Sequence, residues 1–215
     1  MLEIVTIARD GPLLARRALE QCVAAGGVAI FPADTLYGVA CDPARPDAIE
    51  RINALKGRDP GKPSAVMFFS PLTMRELVSA LGSRTRDALG ALLPGPVTLV
   101  VANPELRYPH AGGDTPERLG IRLIEGPLAG AACAVFQTSA NRAGEPAPSR
   151  FEDIDPEITG AVNVAIDGGD LGGAPSTVVD LGGIEEDGDW SVLRQGAMPL
   201  SELERRLAGV GLGRR

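Results

Sequence analysis

The chain has 215 residues, of which 44% are hydrophobic and 23% charged, and its net charge is −7 at pH 7. This composition is that of a globular protein, and the length predicts one domain with a short tail. The negative charge disfavours broad, nonspecific binding to nucleic-acid phosphates, which requires many Lys and Arg. Since no basic stretch followed by an apolar run opens the sequence, and no run of about 18 apolar residues occurs, we expect a cytoplasmic protein that does not enter membranes. Cys22, Cys41 and Cys133 are far apart and predict neither a disulfide framework nor a zinc site.

The first half of the sequence predicts helices and short buried strands. Residues 13–23 repeat apolar side chains at helical spacing, and Gly26-Gly27 ends that helix. The apolar run at residues 28–31 predicts a buried strand. Residues 32–38 after it are a candidate binding loop, because ligands of open α/β sheets gather beyond the carboxyl ends of strands. Helices are also predicted at residues 47–55, 72–81 and 83–92, and a strand at residues 65–69.

The second half predicts more strands, so the expected fold is a mixed α/β sheet. Residues 177–181 and 191–194 flank an acidic turn at residues 182–189, which indicates a β-hairpin with a solvated tip. Ser201 and Glu204 fit a capping box that begins a final helix ending near residue 207. We divide the chain into one domain at residues 1–197 and a short C-terminal helix and tail at residues 198–215. Further strands are predicted at residues 98–101, 120–124, 135–138 and 162–166.

The two lysines of the chain, Lys56 and Lys62, lie in one seven-residue segment with Arg58, whereas every other basic residue is an arginine. Lysine offers a compact, mobile ammonium that the planar guanidinium of arginine does not replace. Three cations in a turn rich in Gly and Pro repel each other unless an anion binds between them, and a phosphate chain is the natural counter-charge. A solvated basic loop is the alternative, but the confinement of both lysines favours a phosphate site.

Other segments are less specific. Residues 138–141, Thr-Ser-Ala-Asn, end a strand and enter a loop whose hydroxyl, amide and N–H groups could hold carboxylate or phosphate oxygens, although an ordinary turn has the same composition. The Gly-rich residues 167–173 lack the Gly-Lys-Ser/Thr ending of a phosphate loop, so we predict a tight turn. His110 has no nucleophile beside it and is predicted in a surface loop. These residues suit positioning a nucleophile against a phosphate, with Mg²⁺ on the phosphates, better than covalent catalysis.

Taken in order, these segments resemble the YrdC-like family, the single-domain threonylcarbamoyl-AMP synthases. The likeness runs over residues 26–197, and each motif is weak alone. The sequence departs from the family at Ala33, where Thr is frequent, at Asp59, where Pro is common, and at Met67, where many members have a His near the amino acid. The shared motifs are Pro32-Ala33-Asp34-Thr35-Leu36-Tyr37-Gly38, Lys56-Gly57-Arg58 with Lys62-Pro63, Pro94-Gly95-Pro96-Val97-Thr98, Gly120-Ile121-Arg122, Thr138-Ser139-Ala140-Asn141, Ser176-Thr177-Val178-Val179-Asp180 and Val192-Leu193-Arg194-Gln195-Gly196-Ala197.

The resemblance implies a twisted, mixed parallel/antiparallel sheet with flanking helices and a concave basic cleft. It implies that L-threonine, bicarbonate and ATP condense to threonylcarbamoyl-AMP and pyrophosphate, for the t6A modification of adenosine 37 in tRNA. Partner proteins of tRNA modification would use the intermediate, with weak or no direct binding of tRNA by this chain. Mg²⁺ would accompany ATP, and we identify no protein side chain as its ligand. By position, the residues that would hold threonine are Thr35, Arg122, Ser139 and Ser176, and those that would hold ATP are Lys56, Arg58, Lys62, Asn141, Ser149 and Arg194, with Lys56 and Arg58 also catalytic.

Two other functions are compatible with the sequence. One is an RNA-binding module whose basic cleft holds RNA, but the small aromatic content of 4% argues against a surface on which bases stack. The other is a related enzyme that uses the same cleft for a different carbamoyl or adenylyl transfer.

Overall fold

One ten-stranded sheet organises residues 2–213, the part of the chain that this computed structural model describes. The strands are β1 (Glu3–Thr6), β2 (Ala29–Pro32), β3 (Tyr37–Cys41), β4 (Ala65–Phe68), β5 (Val97–Ala102), β6 (Arg118–Leu123), β7 (Ala134–Ser139), β8 (Val164–Asp167), β9 (Thr177–Asp180) and β10 (Ser191–Arg194).

The sheet is mixed, as predicted. Its strand order is β1-β8-β2-β3-β7-β4-β6-β5-β9-β10. The pairs β1/β8, β8/β2, β4/β6 and β5/β9 are parallel, and the other neighbouring pairs are antiparallel. Strands that are distant in the sequence are therefore neighbours, so that side chains from several motifs meet on one face.

Helices cover the two faces of the sheet unequally. The face covered by most helices holds the larger apolar core, to which α3, α4, α5, α6 and α7 contribute buried side chains, while α2 packs into a smaller core. Neighbouring strand residues alternate between the two cores, as Val39 and Ala40 of β3 do. The helices are α1 (Ile7–Asp10), α2 (Pro12–Ala24), α3 (Pro46–Lys56), α4 (Pro71–Ser79), α5 (Ser83–Leu92), α6 (Pro156–Ala161) and α7 (Leu200–Ala208).

The predicted helices at residues 13–23, 47–55, 72–81 and 83–92 are confirmed with small shifts at their ends, and so is the β9/β10 hairpin. The sequence interpretation missed β1, α6 and β3. Every residue of β3 is buried, so the strand lacks the alternation of apolar and polar residues that predicts a strand from sequence. Its Gly38 is also a residue type that is common in turns.

The predicted start of the final helix is wrong, and the acidic turn makes contacts that were not predicted. The final helix begins at Leu200 after Pro199, and Ser201 lies inside it rather than capping it. The acidic turn is also more than a solvated tip, because the Glu185 carboxylate accepts hydrogen bonds from the backbone N–H and the hydroxyl of Thr85, each at 2.7 Å. Gly82 offers no side chain to cap α5, so a carboxylate from the hairpin satisfies a free N–H of its first turn.

Within residues 2–213, no helix is both long and apolar enough to cross a membrane.

Cys41 makes the stability of this fold depend on pH. Its thiol is fully buried in the larger core, and burial raises the pKa of the thiol from 9.0 to about 12. The unfolded chain therefore loses this proton near pH 9 while the folded protein keeps it. We expect the free energy of unfolding to fall between pH 9 and 12, with Cys41 contributing about 1.4 kcal/mol per pH unit.

Chemical denaturation of the Cys41→Ala variant at several pH values tests this contribution. The slope of stability against pH should become shallower than in the wild-type protein. Val39→Ala, two residues away in the same strand and equally buried, is the control, because it lowers stability without changing the slope. Parallel pH profiles for Cys41→Ala and the wild type would contradict the prediction.

Candidate active site

A cavity of about 470 Å³ lies on the sheet face that carries the smaller core. Met67 of β4 belongs to that core, and its register partner on β6 is Arg122, which lines the cavity. Residues paired in register project to the same face of a sheet. The cavity therefore occupies the part of this face that lies beside the smaller core.

The wall of the cavity combines guanidinium groups with hydroxyl and amide groups. None of the described lining residues is Asp or Glu. Such a wall suits an anionic ligand, because arginine donates paired hydrogen bonds to carboxylates and phosphates. Its polar residues include Arg58, Arg118, Arg122 and Arg194, and also Thr35, Ser64, Thr98, Thr115, Gln137, Thr138, Ser139 and Ser176.

The structure brings six of the ten predicted site residues together on this wall. All four residues predicted for threonine and two of those predicted for ATP line the cavity, whereas Lys56, Lys62, Asn141 and Ser149 are outside the lining. The roles of all ten remain predictions. The six that line the cavity are Thr35, Arg58, Arg122, Ser139, Ser176 and Arg194.

Arg122 is held by a carboxylate from a different part of the chain. Its Nη2 donates to Oδ1 of Asp34, which lies in the loop between β2 and β3. The pair is nearly buried, with 6% of the Arg122 side chain and 14% of the Asp34 side chain exposed. Among the described residues, neither Arg122 Nε nor Asp34 Oδ2 has a hydrogen-bond partner. Buried polar atoms are normally paired, so these two unpaired atoms are exceptions within the ion pair.

Arg194 lies close to Arg122. Its Nη2 donates to the backbone carbonyl of Ser176 at 2.9 Å, and the Ser176 hydroxyl lies 2.9 Å from the hydroxyl of Thr98. Burial and then the positive charge of Arg122 lower the pKa of Arg194. Two neighbouring guanidinium groups repel each other, so an anion between them is favoured.

A bulge in β10 explains why consecutive residues both face the cavity. The register of β10 against β9 shifts between Val192 and Arg194, and both Leu193 and Arg194 line the cavity. In a regular strand they would project to opposite faces. The bulge thus adds a cation and an apolar side chain at the same place.

The turn after α3 directs Arg58 to the cavity. Gly57 ends the helix in the left-handed conformation at φ 60°, which glycine adopts without strain, and Arg58 N then donates to the carbonyl of Asn53 at 2.8 Å. The Arg58 guanidinium donates to the carbonyls of Lys62 at 2.9 Å and Pro63 at 2.8 Å. Burial lowers the pKa of Arg58. Two backbone carbonyls of the turn therefore hold the Arg58 guanidinium in place.

The two lysines, which the sequence analysis grouped with Arg58 in one phosphate site, have different surroundings. Lys56 is 3% exposed, and its Nζ donates to the backbone carbonyls of Ser139 and Asn141. Burial and then the charge of Arg58 lower the pKa of Lys56 to about 8. Lys62 is exposed. Lys56 thus joins α3 to the loop after β7, while Lys62 is available to a ligand in solution.

The loop after β7 is further tied to its surroundings. Asn141 Nδ2 donates to the carbonyls of Arg142 at 2.8 Å and Glu145 at 2.6 Å, and the Ala143 N–H donates to the Lys56 carbonyl at 2.8 Å. The buried Oδ1 of Asn141 has no partner among the described residues. Asn141 therefore shapes the loop and keeps one acceptor open.

The Gly-rich residues 167–173 form a longer loop than the tight turn predicted. Asp167 and Asp170 each accept the N–H two residues later, at 2.9 and 3.0 Å, so the loop contains two small side-chain turns. Gly173 N donates to the Thr35 carbonyl at 3.2 Å, and Leu171 N donates to that of Ser149 at 3.0 Å. The loop thus joins two segments that carry predicted ligand-binding residues.

His110 is exposed in a short 3₁₀ turn, Pro109–Ala111, as predicted.

Arg118 is a cavity residue that the sequence interpretation missed. It lines the wall and forms an ion pair with Asp180 of β9. The sequence could have predicted this position, because Arg118 and Arg122 are four residues apart in one strand and therefore project to the same face of the sheet. The Asp34 pairing, by contrast, depends on two segments that meet only in the folded sheet.

Comparison with known proteins shows the family of this chain. Residues 21–196 match the Sua5/YciO/YrdC family, described as "Telomere recombination". The chain belongs to this family.

Two curated relatives are named threonylcarbamoyl-AMP synthase. The protein of Nitrosococcus oceani is 34% identical over 142 residues, covering 60% of this chain and 72% of the relative. The protein of Chromohalobacter salexigens is 33% identical over 168 residues, covering 73% of this chain and 86% of the relative.

A solved structure similar to this fold is P. abyssi Sua5 complexed with L-threonine. The TM-score is 0.82 at 25% identity, and the match covers 96% of this chain. This chain spans 60% of that protein.

The different surroundings of the two lysines predict different effects on stability. Lys56→Met leaves two carbonyls without their charged donor, and we expect the free energy of unfolding to fall by about 1–3 kcal/mol. Lys62→Met is the matched control on the same turn, and its effect should stay within about 0.5 kcal/mol because the side chain is exposed. Urea denaturation at pH 7, where Lys56 is mainly charged, measures both. Equal losses in the two variants would show that the Lys56 contacts contribute nothing.

Proposed function

We propose that this chain is an L-threonylcarbamoyladenylate synthase. It condenses L-threonine, bicarbonate and ATP to threonylcarbamoyl-AMP and pyrophosphate, and the product serves the t6A modification of adenosine 37 in tRNA. The observation that carries the proposal is the placement of Arg122 and Arg194 close together on one cavity wall. Such a pair places a carboxylate next to a phosphate. The relatives named threonylcarbamoyl-AMP synthase and the related protein complexed with L-threonine support it.

In this proposal threonine binds at the part of the cavity wall formed by Arg122, whose side chain is nearly buried. Arg122 lines the cavity, and its guanidinium receives the carboxylate. The hydroxyl groups of Thr35, Ser139 and Ser176 line the same cavity and are suited to the polar groups of the amino acid.

ATP binds along the wall between Arg58 and Arg194. Both guanidinium groups line the cavity and bind phosphate oxygens in this proposal. Lys62, exposed on the same turn, adds a point charge. Lys56 acts from behind the wall by holding the carbonyls of the loop that carries Ser139 and Asn141. Ser149, half-buried on the loop joined to residues 167–173, contributes a hydroxyl.

The reaction uses no protein nucleophile. The amine of threonine first combines with bicarbonate to form a carbamate and water. A carbamate oxygen then attacks the α-phosphorus of ATP, a new P–O bond forms, and the bond to the β-phosphate breaks so that pyrophosphate leaves. The protein holds the carbamate and the phosphate in line and offsets the negative charge with guanidinium groups.

Mg²⁺ is part of this proposal as the ion that ATP brings. Within residues 2–213, no three His, Cys, Asp or Glu side chains cluster closely enough to hold a metal ion. The oxygens of ATP itself are therefore its proposed ligands, and the ion would offset charge on the departing pyrophosphate.

Amino-acid-dependent release of pyrophosphate tests the proposed function. The wild-type protein is incubated with ATP, Mg²⁺, bicarbonate and one amino acid at a time. We expect release with L-threonine, little with serine or valine, and none after chelation of Mg²⁺. Equal release with serine or valine would remove the threonine assignment, and tight binding of tRNA without binding of ATP would favour an RNA-binding module instead.

Substitution of two cations on the turn after α3 tests the placement of ATP. Lys56→Ala and Arg58→Ala should each cost at least ~2 kcal/mol of transition-state stabilisation, a fall of roughly 30-fold in kcat/KM. Arg58→Ala removes a donor to the developing anion, and Lys56→Ala releases the loop that carries Ser139 and Asn141. Arg75→Ala, exposed on α4, is the control and should retain wild-type turnover. Near-wild-type turnover in both turn variants would show that the phosphates bind elsewhere.

A further inference from the structure

An apolar band crosses one side of the cavity. The neighbouring strands β6, β5, β9 and β10 each contribute one lining residue to it, namely Gly120, Val100, Val178 and Leu193. Val100 pairs in register with Gly120 on one side and with Asp180 on the other, and Val178 lies two residues before Asp180. Register partners, and residues two apart in a strand, project to the same face of a sheet. Gly120, Val100 and Val178 therefore lie side by side on the cavity face.

Leu193 continues the band onto the edge strand. It is the extra residue of the β10 bulge, next to Arg194, which pairs in register with Val178. Leu193 lines the cavity and is 58% exposed, while Val100 and Val178 are half-buried. The band is thus an apolar surface that a ligand in the cavity can reach.

Cations border the band. Arg118 and Arg122 lie two residues before and after Gly120 in β6, and Arg194 follows Leu193 in β10. All three arginines line the cavity. Phosphates pair with guanidinium groups, whereas the side chains of the band offer nothing that replaces the hydration of a charged group. The cavity therefore suits a ligand that combines anionic groups with an apolar face.

Among the substrates of the proposed reaction, ATP has this combination. Bicarbonate is polar throughout, and the apolar part of the threonine side chain is a single methyl group. The band spans three strand spacings, about 14 Å, and is much larger than a methyl group. The purine base of ATP has two faces of fused rings, which gain from contact with an apolar surface.

We propose that the apolar band holds the purine base of ATP and that Leu193 is its main contact. This inference rests on the proposed function and deepens it, because it gives the position of the nucleoside. One face of the base lies on Val178 and Leu193. The ribose then connects the base to a triphosphate that lies between Arg194 and Arg58.

The test compares two ligands that differ by the nucleoside. Calorimetric titration measures the binding of ATP and of inorganic triphosphate, each with Mg²⁺, to the wild-type protein and to Leu193→Ala. We expect the variant to lose ATP affinity roughly fivefold or more, because apolar contact area is removed, while its affinity for inorganic triphosphate changes by less than about twofold. Leu193 is exposed on an edge strand, so its truncation should leave the fold intact.

Two further variants separate apolar contact from a loss of structure. Val178→Thr keeps the shape of the side chain but places a hydroxyl in the band, so it should weaken ATP without changing the affinity for inorganic triphosphate. Leu72→Ala is the matched control, because Leu72 is 72% exposed on α4 and lies outside the cavity lining. It should leave both affinities unchanged. In turnover, the KM for ATP should rise in Leu193→Ala while the KM for L-threonine stays the same.

The outcomes separate this inference from the proposed function. Equal losses of ATP and inorganic triphosphate would mean that Leu193 supports the phosphate site, and unchanged affinity for both would place the base elsewhere. Either result overturns the inference while the proposed function stands. A loss of L-threonine affinity alone would assign the band to the amino acid and overturn the inference as well. If the wild-type protein binds no ATP, the inference and the proposed function fail together.

Discussion

The structure depends on the unequal covering of a two-faced sheet. A mixed sheet of ten strands must bury apolar side chains on both sides, but in this chain most helices lie on one face, and α2 covers part of the other. On β5, β6 and β9 the residues that face away from the larger core are therefore left without a helix. Polar side chains such as Thr98 and Arg122, together with Ser176 just before β9, occupy this face, and a cavity forms there. The site exists because apolar packing stops partway across one face.

Buried cations in this site are held by two different arrangements. Lys56 is surrounded by backbone carbonyls, which satisfy its ammonium and join α3 to the loop after β7. Arg122 is held by one carboxylate oxygen, and atoms on both partners remain open. The difference matters energetically, because a buried cation whose hydrogen bonds are satisfied stabilises the fold, whereas a buried ion pair with unpaired atoms carries a desolvation cost.

Helices were predictable from the sequence where the signals that define them lie within the same short segment. Signals within short segments, such as the apolar spacing and the Gly26-Gly27 end of α2, predicted helices at the positions of α2, α3, α4 and α5. Elements whose burial or capping depends on distant segments were missed or misplaced. All of β3 is buried on both faces by other strands and helices, and the first turn of α5 takes its cap from Glu185, 100 residues away.

The sequence by itself determined the mixed α/β architecture, the basic turn at Lys56-Gly57-Arg58 and the family resemblance, because these depend on spacing within short segments. Only the tertiary structure decided which of the predicted residues share a wall, that Lys56 faces carbonyls, and that Asp34 meets Arg122 across 88 residues of chain. The physical reason is that strand register selects which side chains from distant segments become neighbours. Burial then selects which of their polar atoms find a partner and which stay open.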